Sequence, residues 1–391
     1  MERPEVARRR QASHGLRRCK GGIYDVVKYH RLARRRVDVA GPVDPTDWNS
    51  MARDAVSSRG RPSIYDVALR AGVSHMTVSR VINDQPNIRE STRQHVKRVI
   101  AELGYQPSSV ARALASRHSR SIGVMVDAAD HYGPKNTLLA IERAARETGY
   151  TVATFSMSGE EGSAREGFAD LAGHGVDAVC MIAPRMSSLA AVISAPLDVP
   201  TIVIGDVEGD PSLITVAVDQ GYGAALVAEH LTGLGHRSLL HLAGPLDWID
   251  AKARERSWRR EMDARGLAPH MVVGDWTSDF GYDVGARHPL VESVSAIFAS
   301  NDQMALGLLH GLSTRGLRVP EHIAVVGYDD APESRHLLPP LTTVRQDFGA
   351  VGTAALRAVF DALDRQPVEP RQRVRPELIV RSSSAPPAER A

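Results

Sequence analysis

The chain of 391 residues is long enough for two or three folded units, and its composition, 43% hydrophobic and 24% charged, is ordinary for a globular protein. No apolar run approaches the roughly 20 residues of a membrane span, and the Arg-rich start lacks the apolar segment of a secretory signal. The two cysteines, Cys19 and Cys180, have no metal-ligand spacing and no nearby partner. These features argue against a membrane protein or a disulfide scaffold and favour a cytoplasmic one.

Charge is distributed unevenly along the chain. Residues 1–60 carry 14 Lys and Arg against 7 Asp and Glu, and residues 61–119 carry 9 against 4. The remaining residues carry 25 against 35, so a basic front precedes an acidic body. This pattern indicates that the N-terminal third contacts a polyanion, although a merely solvated basic segment is the alternative.

Residues 1–60 show no hydrophobic period and contain two runs of three arginines and a Gly- and Pro-rich stretch. They are predicted to be a largely disordered extension. Met51 stands shortly before the first motif, so the translated chain starts either at Met1 or at Met51.

Residues 61–107 are predicted to form short helices with tight breaks. Ser63 caps a first helix with Asp66 three residues later, Gly72 permits the turn, and Ser74 caps a second helix. The second helix turns Val78, Val81 and Ile82 inward and leaves its polar first half outside. This is typical of a helix-turn-helix reader of the DNA major groove, and an ordinary helical hairpin is the alternative.

From Arg120 onward, apolar β-branched runs alternate with helical periods. This alternation predicts two doubly wound subdomains whose parallel strands point their carboxyl ends into a shared cleft. The predicted strands are 121–126, 151–155, 178–182, 201–204, 238–242, 296–299 and 323–327, and the helices between them include 136–147, 164–172, 251–265 and 302–315.

Several stretches resemble the LacI/GalR family of bacterial transcriptional regulators, over residues 61–383. They are Tyr65-Asp66-Val67-Ala68, Ala71-Gly72-Val73-Ser74, Thr77-Val78-Ser79-Arg80-Val81, Leu234-Gly235-His236-Arg237, Gly244-Pro245-Leu246, Asn301-Asp302-Gln303-Met304, Val326-Gly327-Tyr328-Asp329 and Thr343-Val344-Arg345-Gln346-Asp347-Phe348.

The resemblance implies an all-α helix-turn-helix DNA-binding domain (61–107), followed by an α/β periplasmic-binding-protein-like effector domain of two doubly wound parallel-sheet subdomains (120–383). Residues 108–119 would be a hinge helix, with a flexible linker as the alternative, and residues 384–391 a disordered tail. The tail has no apolar heptads, which favours a homodimer over a tetramer. Residues 1–50 would then be dispensable for specific DNA binding.

The resemblance also implies which residues touch DNA. Phosphate contacts are expected from Tyr65, Thr77, Ser79 and Asn83, and base contacts from His75, Met76 and Arg80, with Ser74 at the start of the same helix. In the hinge helix Leu114 would be the apolar wedge of the minor groove. Val110 and Ala111 would accompany it, and Ser108 would contact a phosphate.

For the effector, the resemblance singles out Asp206, Arg254, Trp276, Asn301, Asp329 and Phe348. Asp127 joins them because it also follows a predicted strand. Carboxylates, amides and a guanidinium bind hydroxyl pairs, and aromatic rings cover the apolar face of a sugar. The alternatives are simple packing for Trp276, a strand-end role for Asp127 and a solvated position for Arg254.

The expected function is therefore transcriptional repression modulated by a small molecule, with a sugar as the expected effector and double-stranded DNA as the partner. An enzyme is a rival class, but the strand ends show no dinucleotide or P-loop motif and no nucleophile elbow, so no cofactor is expected. A solute-binding transport component is the second rival. The DNA-reading motif and the missing signal peptide argue against it.

Overall fold

The computed structural model describes residues 62–106, 119–157, 163–182, 185–193, 199–207 and 212–386. The chain divides after Tyr105 into two compact units. The predicted extension (1–60) and the hinge residues 108–118 lie outside the described residues. Within the described ranges, no helix is both long and apolar enough to cross a membrane.

The first unit consists of helices α1 (Ile64–Ala71), α2 (His75–Ile82) and α3 (Glu90–Leu103). The predicted capping box is present, since the Ser63 amide donates to Asp66 at 2.7 Å and the Asp66 amide donates to the Ser63 hydroxyl at 3.3 Å. Gly72 ends α1 with a φ of 64°, the left-handed conformation that the turn requires. The helices share one small core, built of Val67, Ala68, Ala71, Val78, Val81, Val96 and Val99.

The second unit contains two six-stranded sheets, each flanked by helices. The first sheet has the order β11-β5-β4-β3-β1-β2 and is parallel throughout. Its strands are β1 (Ser121–Asp127), β2 (Thr151–Met157), β3 (Ala178–Ile182), β4 (Thr201–Ile204), β5 (Ile214–Val218) and β11 (Arg371–Val374). Its helices are α4 (Tyr132–Glu147), α5 (Ser163–Gly173), α6 (Met186–Ile193) and α11 (Phe348–Leu363).

The second sheet has the order β12-β10-β9-β8-β6-β7 and is parallel except for its β10–β12 pair. Its strands are β6 (Leu239–Ala243), β7 (His270–Val273), β8 (Ala296–Ala299), β9 (Ala324–Asp329), β10 (Thr342–Arg345) and β12 (Glu377–Ile379). Its helices are α7 (Gln220–Gly233), α8 (Ile249–Ala264), α9 (Ser278–Arg287) and α10 (Asp302–Thr314).

The two sheets confirm the predicted pair of doubly wound subdomains, with strand ends displaced by one or two residues. The chain passes between the subdomains three times, after β5, after β10 and between β11 and β12. The carboxyl ends of the parallel strands of both sheets face the cleft that these crossings close on one side.

The ordered domain extends beyond both predicted limits. Ser119, assigned to the hinge, donates its amide to Asp177 at 2.8 Å. Ser384 and Ala385 were assigned to a disordered tail. His230 is 2.9 Å from the Ser384 hydroxyl, however, and His236 is 2.8 Å from the Ala385 carbonyl. Composition alone did not show these contacts, because both histidines come from elements far away in the chain.

Helices α9 and α10 pack unusually closely along glycine residues. A Cβ atom at Gly307 would stand 1.7 Å from the Ser278 carbonyl oxygen, which is part of the neighbouring backbone. Backbone cannot move aside as the end of a side chain can, so even one methyl group must push the helices apart.

We therefore expect Gly307→Ala to lower the free energy of unfolding by about 1–3 kcal/mol, the usual range for overpacking. Gly233→Ala is the matched control, because α7 leaves open space around that glycine and alanine favours a helix. Thermal unfolding followed by circular dichroism compares them. Equal midpoints for both variants would show that the helices are not in contact along Gly307.

Candidate DNA-reading face and ligand cavity

The predicted DNA-contacting residues of the first unit lie mainly on one exposed stretch of α1 and α2. The side chains of Tyr65 and Met76 are 66% and 54% exposed, and those of His75 and Arg80 are exposed as well. The rings of Tyr65 and His75 lie 5.2 Å apart, so the two side chains form a continuous surface. Large apolar and aromatic groups left in water on a short helix are typical of a binding surface.

Four predicted DNA contacts also form hydrogen bonds inside the unit. The Ser74 hydroxyl accepts the Thr77 amide at 3.1 Å and so caps α2. The Asn83 amide donates to the Ser79 hydroxyl at 3.4 Å. Their contacts with DNA stay predictions. The hinge positions Ser108, Val110, Ala111 and Leu114 lie outside the described residues.

In the second unit a cavity of about 240 Å³ opens between the two sheets at their carboxyl ends. Five of the seven predicted effector residues line this cavity, and two do not. The five are Arg254, Trp276, Asn301, Asp329 and Phe348.

The two exceptions are Asp127 and Asp206. Asp127 is 2% exposed and forms an ion pair with Arg185 at 3.4 Å, so the strand-end interpretation was the better one. Asp206 forms an ion pair with Arg373 at 2.7 Å and lines a different pocket. Gly205 faces the cavity instead, because successive residues in extended chain point to opposite sides.

Arg254 is the central cation of the cavity and is only 4% exposed, which excludes the solvated position considered for it. Its Nε donates to Gln220 at 2.9 Å, its Nη1 donates to the Ser300 carbonyl, and its Cζ lies 3.7 Å from the centre of the Tyr328 ring. Within the described residues, its Nη2 has no hydrogen-bond acceptor and so remains available to a ligand.

A second layer supports this arginine. His241 is fully buried, stacks on Phe298 with ring centroids 4.6 Å apart, and lies 2.7 Å from the Ser300 hydroxyl. Burial, followed by the nearby Arg254 charge, lowers the pKa of His241 to about 3. The imidazole is therefore neutral at physiological pH and adds no second positive charge behind Arg254.

Two glutamines link the cavity to the crossings between the subdomains. Gln220 begins α7 and Gln346 follows β10, and the Gln220 amide donates to the Gln346 side chain at 3.0 Å. Gln220 also donates to Asp250 at 3.1 Å, and Gln346 donates to Asp329 at 2.7 Å. A continuous chain of hydrogen bonds thus connects Arg254, through both crossings, to Asp329.

The carboxyl groups of the cavity outnumber its guanidinium. Burial raises the pKa of Asp329, against the opposing effect of Arg254, and it also raises the pKa of Asp250. Burial raises the pKa of Tyr132 to about 12, with Asp329 contributing. The cavity is therefore unfavourable for further negative charge and suits hydroxyl groups that donate to these oxygens.

Aromatic side chains from both subdomains form the walls. Trp276 meets Trp248 edge to face at 5.5 Å, and Tyr132 meets Phe348 at 6.0 Å. Trp276 packs in the second sheet's core and also lines the cavity, and its contact with an effector stays a prediction. A Cβ at Gly244 would stand 2.2 Å from its ring, so only glycine fits there.

The backbone of two of these wall residues is strained. Trp276 has a φ of 73° and Asp329 a φ of 122°. These are backbone conformations that residues other than glycine rarely adopt. Such strain persists where surrounding contacts determine the position of a side chain, and it concentrates at binding sites.

Asn301 is less free than the sequence indicated. Its carbonyl oxygen accepts the Met304 amide at 2.9 Å and caps α10, while its amide donates to the Trp276 carbonyl at 3.0 Å. It lines the cavity, but much of its hydrogen-bonding capacity is used to hold Trp276 in place.

Sequence reasoning did not assign six further lining residues: His131, Tyr132, Gln220, Trp248, Asp250 and Gln346. A signal was present, because each follows the carboxyl end of a parallel strand, where such sheets bind ligands.

A helix-turn-helix unit followed by a two-sheet domain with a polar, aromatic-walled cavity defines a class, the ligand-responsive transcriptional regulators. The profile for "Bacterial regulatory proteins, lacI family" matches residues 63–108, and that for "Periplasmic binding protein-like domain" matches residues 228–384. The chain belongs to the LacI family and is a sequence-specific DNA-binding regulator of transcription.

Individual relatives agree with this assignment. The lactose operon repressor of Escherichia coli K12 is 33% identical over 83% of this chain and 91% of its own length. The regulator CelR of Thermobifida fusca is 33% identical over 83% and 99%. The solved lac repressor dimer bound to operator and the anti-inducer ONPF superposes with a TM-score of 0.75 at 30% identity, covering 83% of this chain and all of that one. A CelR–cellobiose complex gives 0.62 at 29% identity, with the same coverage of both chains.

Two neighbouring aspartates should respond to pH in opposite ways. The raised pKa of Asp329 means that its burial costs stability as pH rises and the carboxyl ionises. We expect Asp329→Asn to raise the thermal midpoint of the ligand-free protein, by an amount that grows between about pH 5 and about pH 8.

Asp330→Asn is the control. Partial burial raises the pKa of Asp330, but ion pairs with Arg381 and Arg345 outweigh this effect, and the pKa is lowered. Its charge stabilises the fold above that pKa, so this variant should melt lower at neutral pH and approach the wild type in acid. Midpoints of both variants that move in the same direction would contradict the burial of Asp329.

Proposed function

We propose that the chain is a repressor whose affinity for its operator changes when a neutral sugar or small glycoside binds in the cavity. The observation that carries this proposal is the combination of one arginine, two buried carboxyl groups and paired aromatic walls in a single cavity. Vicinal hydroxyls can bridge a carboxylate and a guanidinium, while the C–H face of a sugar ring packs on an indole.

The charges of the cavity support a neutral ligand over an acidic one. Asp250 and Asp329 both have raised pKa values from burial, so this cavity stabilises a negative charge poorly. A phosphate or carboxylate ligand would add to that cost, whereas a hydroxyl donates to the same oxygens.

The relatives are consistent with this chemistry. CelR has been solved with cellobiose, and the lac repressor with ONPG and with ONPF. These ligands were bound by those proteins. Which sugar binds would depend on this chain's own lining, to which His131, Tyr132 and Trp248 contribute.

For the DNA side, we propose that α2 lies in the major groove and that two copies of the chain read two half-sites. One short helix contacts too few bases to be specific, and a dimer doubles the recognised sequence. Leu338 and Leu306 of the effector domain are 91% and 46% exposed, which is the kind of apolar surface that an interface between copies buries. The lac repressor neighbour is a dimer.

Ligand binding would act through the crossings between the subdomains. Arg254 and Asp329 are the two ends of the hydrogen-bond chain described above. A ligand that contacts both would change the hydrogen bonds that Gln220 and Gln346 make between them. The ligand favours one relative position of the subdomains over the position that the DNA-bound protein adopts. It changes operator binding only if its affinity for these two positions differs. The proposal includes no catalysis, so the sugar leaves the cavity unchanged.

On the DNA face we expect Arg80→Ala to cost about 1–3 kcal/mol of operator affinity and to relax the preference for one base per half-site, because a guanidinium binds guanine bidentately. Arg98→Ala, which removes an exposed arginine of α3, is the control and should weaken all sequences equally, if at all. Binding to a library of operator variants measures both. An equal loss for every sequence with Arg80→Ala would mean that this residue contacts phosphate alone.

In the cavity we expect Arg254→Lys to abolish the response of operator binding to the effective sugar, since an ammonium group lacks the fork that holds Gln220, Ser300 and a ligand together. Operator affinity without sugar and the thermal midpoint show whether the variant is folded. Arg259→Lys is the control, because that side chain pairs with Glu255 on the same helix, outside the cavity.

The measurement is an operator gel shift or fluorescence anisotropy titration with a panel of neutral sugars and glycosides. A normal sugar response in folded Arg254→Lys would show that the ligand binds elsewhere. A response to a nucleobase instead of any sugar would overturn the proposed ligand class and leave the cavity as the site.

A further inference from the structure

A second pocket, of about 590 Å³, lies between the subdomains and is separate from the ligand cavity, with no lining residue in common. One side is formed by the start of α7 and by α8, which belong to the second sheet. The other side is formed by β11 and the end of β4 in the first sheet. A ligand held here would therefore contact both subdomains at once.

Arginine dominates the described lining of this pocket. Arg256 and Arg260 come from α8, and Arg371 and Arg373 from β11, against Asp206 and Asp219 as the described carboxylates. Arg373 is committed to Asp206 at 2.7 Å and also donates to the Val207 carbonyl at 3.2 Å. The second carboxylate, Asp219, caps α7 by accepting the Tyr222 amide at 2.8 Å.

Two arginines on opposite sides of the pocket carry the argument. Arg371 is exposed at the first position of β11, and none of its interactions within the described residues is an ion pair. Arg260 donates to the Ser257 hydroxyl at 3.1 Å and lies 3.7 Å from Glu261, a distance too long for a hydrogen bond, with 69% of its side chain exposed. Both guanidinium groups keep donors for a further acceptor.

An aromatic ring completes the pocket. Tyr222 is 38% exposed on its wall, and the Cζ of Arg375 lies 5.2 Å from the ring centroid. Planar guanidinium groups bind phosphate oxygens bidentately and do so better than lysine. Groups from two sides favour a ligand with two anionic ends that is small enough to reach both sides of the pocket at once.

We propose that this arginine-lined pocket binds a compact metabolite carrying two phosphate groups, and that such an anion ties α8 to β11. The inference does not depend on the identity of the sugar. It has a consequence for the regulator, because Arg254 of the ligand cavity and Arg260 of this pocket lie on the same helix, α8. An anion that holds α8 against the first subdomain therefore biases the same movement that the cavity ligand uses.

The test uses the full-length protein and inorganic pyrophosphate as the probe, in isothermal titration calorimetry at constant ionic strength. We expect saturable binding that is at least tenfold tighter than that of orthophosphate. The double variant Arg260→Gln/Arg371→Gln should weaken it at least tenfold. The control is Arg287→Gln/Arg357→Gln, which removes the same charge from two exposed helix positions outside the pocket. It should bind pyrophosphate like the wild type.

Hydrogen exchange locates the site. Pyrophosphate should slow exchange in β11 and in α8 of the wild type, and thermal midpoints show that both double variants are folded. The proposal is overturned if pyrophosphate does not saturate, if the control variant loses affinity as much as the pocket variant, or if protection appears in residues 62–106 of the DNA-reading unit instead. None of these results depends on a sugar response, so failure here and failure of the proposed function are distinguishable.

Discussion

The effector domain is organised around one buried positive charge. A guanidinium at 4% exposure needs partners for its donors and a balancing charge, and Arg254 is held by Gln220, the Ser300 carbonyl and the Tyr328 ring, with the carboxyl groups of Asp250 and Asp329 nearby. The three groups that hold it come from the start of α7, the end of β8 and the end of β9. Removing a neutral partner leaves a buried donor without an acceptor, so the geometry of the cavity and the relative position of these elements depend on the same contacts.

That requirement also explains how a small ligand reaches the rest of the molecule. Gln220 and Gln346 lie at two of the three crossings between the subdomains, and their side chains bond to each other as well as to the cavity acids. A ligand that competes for Arg254 or Asp329 changes the hydrogen bonding at the crossings themselves. Coupling between ligand binding and the relative position of the subdomains then needs no long path, because the cavity and the crossings share Gln220 and Gln346.

The two sites of the effector domain differ in the sign of the charged side chains that line them. The cavity has an excess of buried carboxyl groups and favours neutral hydroxylic ligands, whereas the pocket at α8 and β11 has an excess of arginine. One helix, α8, contributes to both sites, with Asp250 and Arg254 lining the cavity and Arg256 and Arg260 lining the pocket. Both sites are lined by residues of both subdomains. A ligand that binds more tightly to one relative position of the subdomains would therefore favour that position from either site.

The sequence by itself determined the elements and much of the site. The serine caps, the turn glycine and the alternation of strands and helices are local features, so the helix-turn-helix and the two sheets could be predicted. Five of the six residues that the family resemblance singled out line the cavity, and their contact with an effector stays a prediction. Asp127 and Asp206 lie outside the cavity, because a strand-end position does not say which side a carboxylate faces or which arginine, Arg185 or Arg373, pairs with it there. The strand-end positions of Gln220 and Gln346 were readable in the sequence, but the bond between them and the arginine pocket were decided by tertiary structure, since their partners lie far apart in the chain and only the packing of two subdomains brings them together.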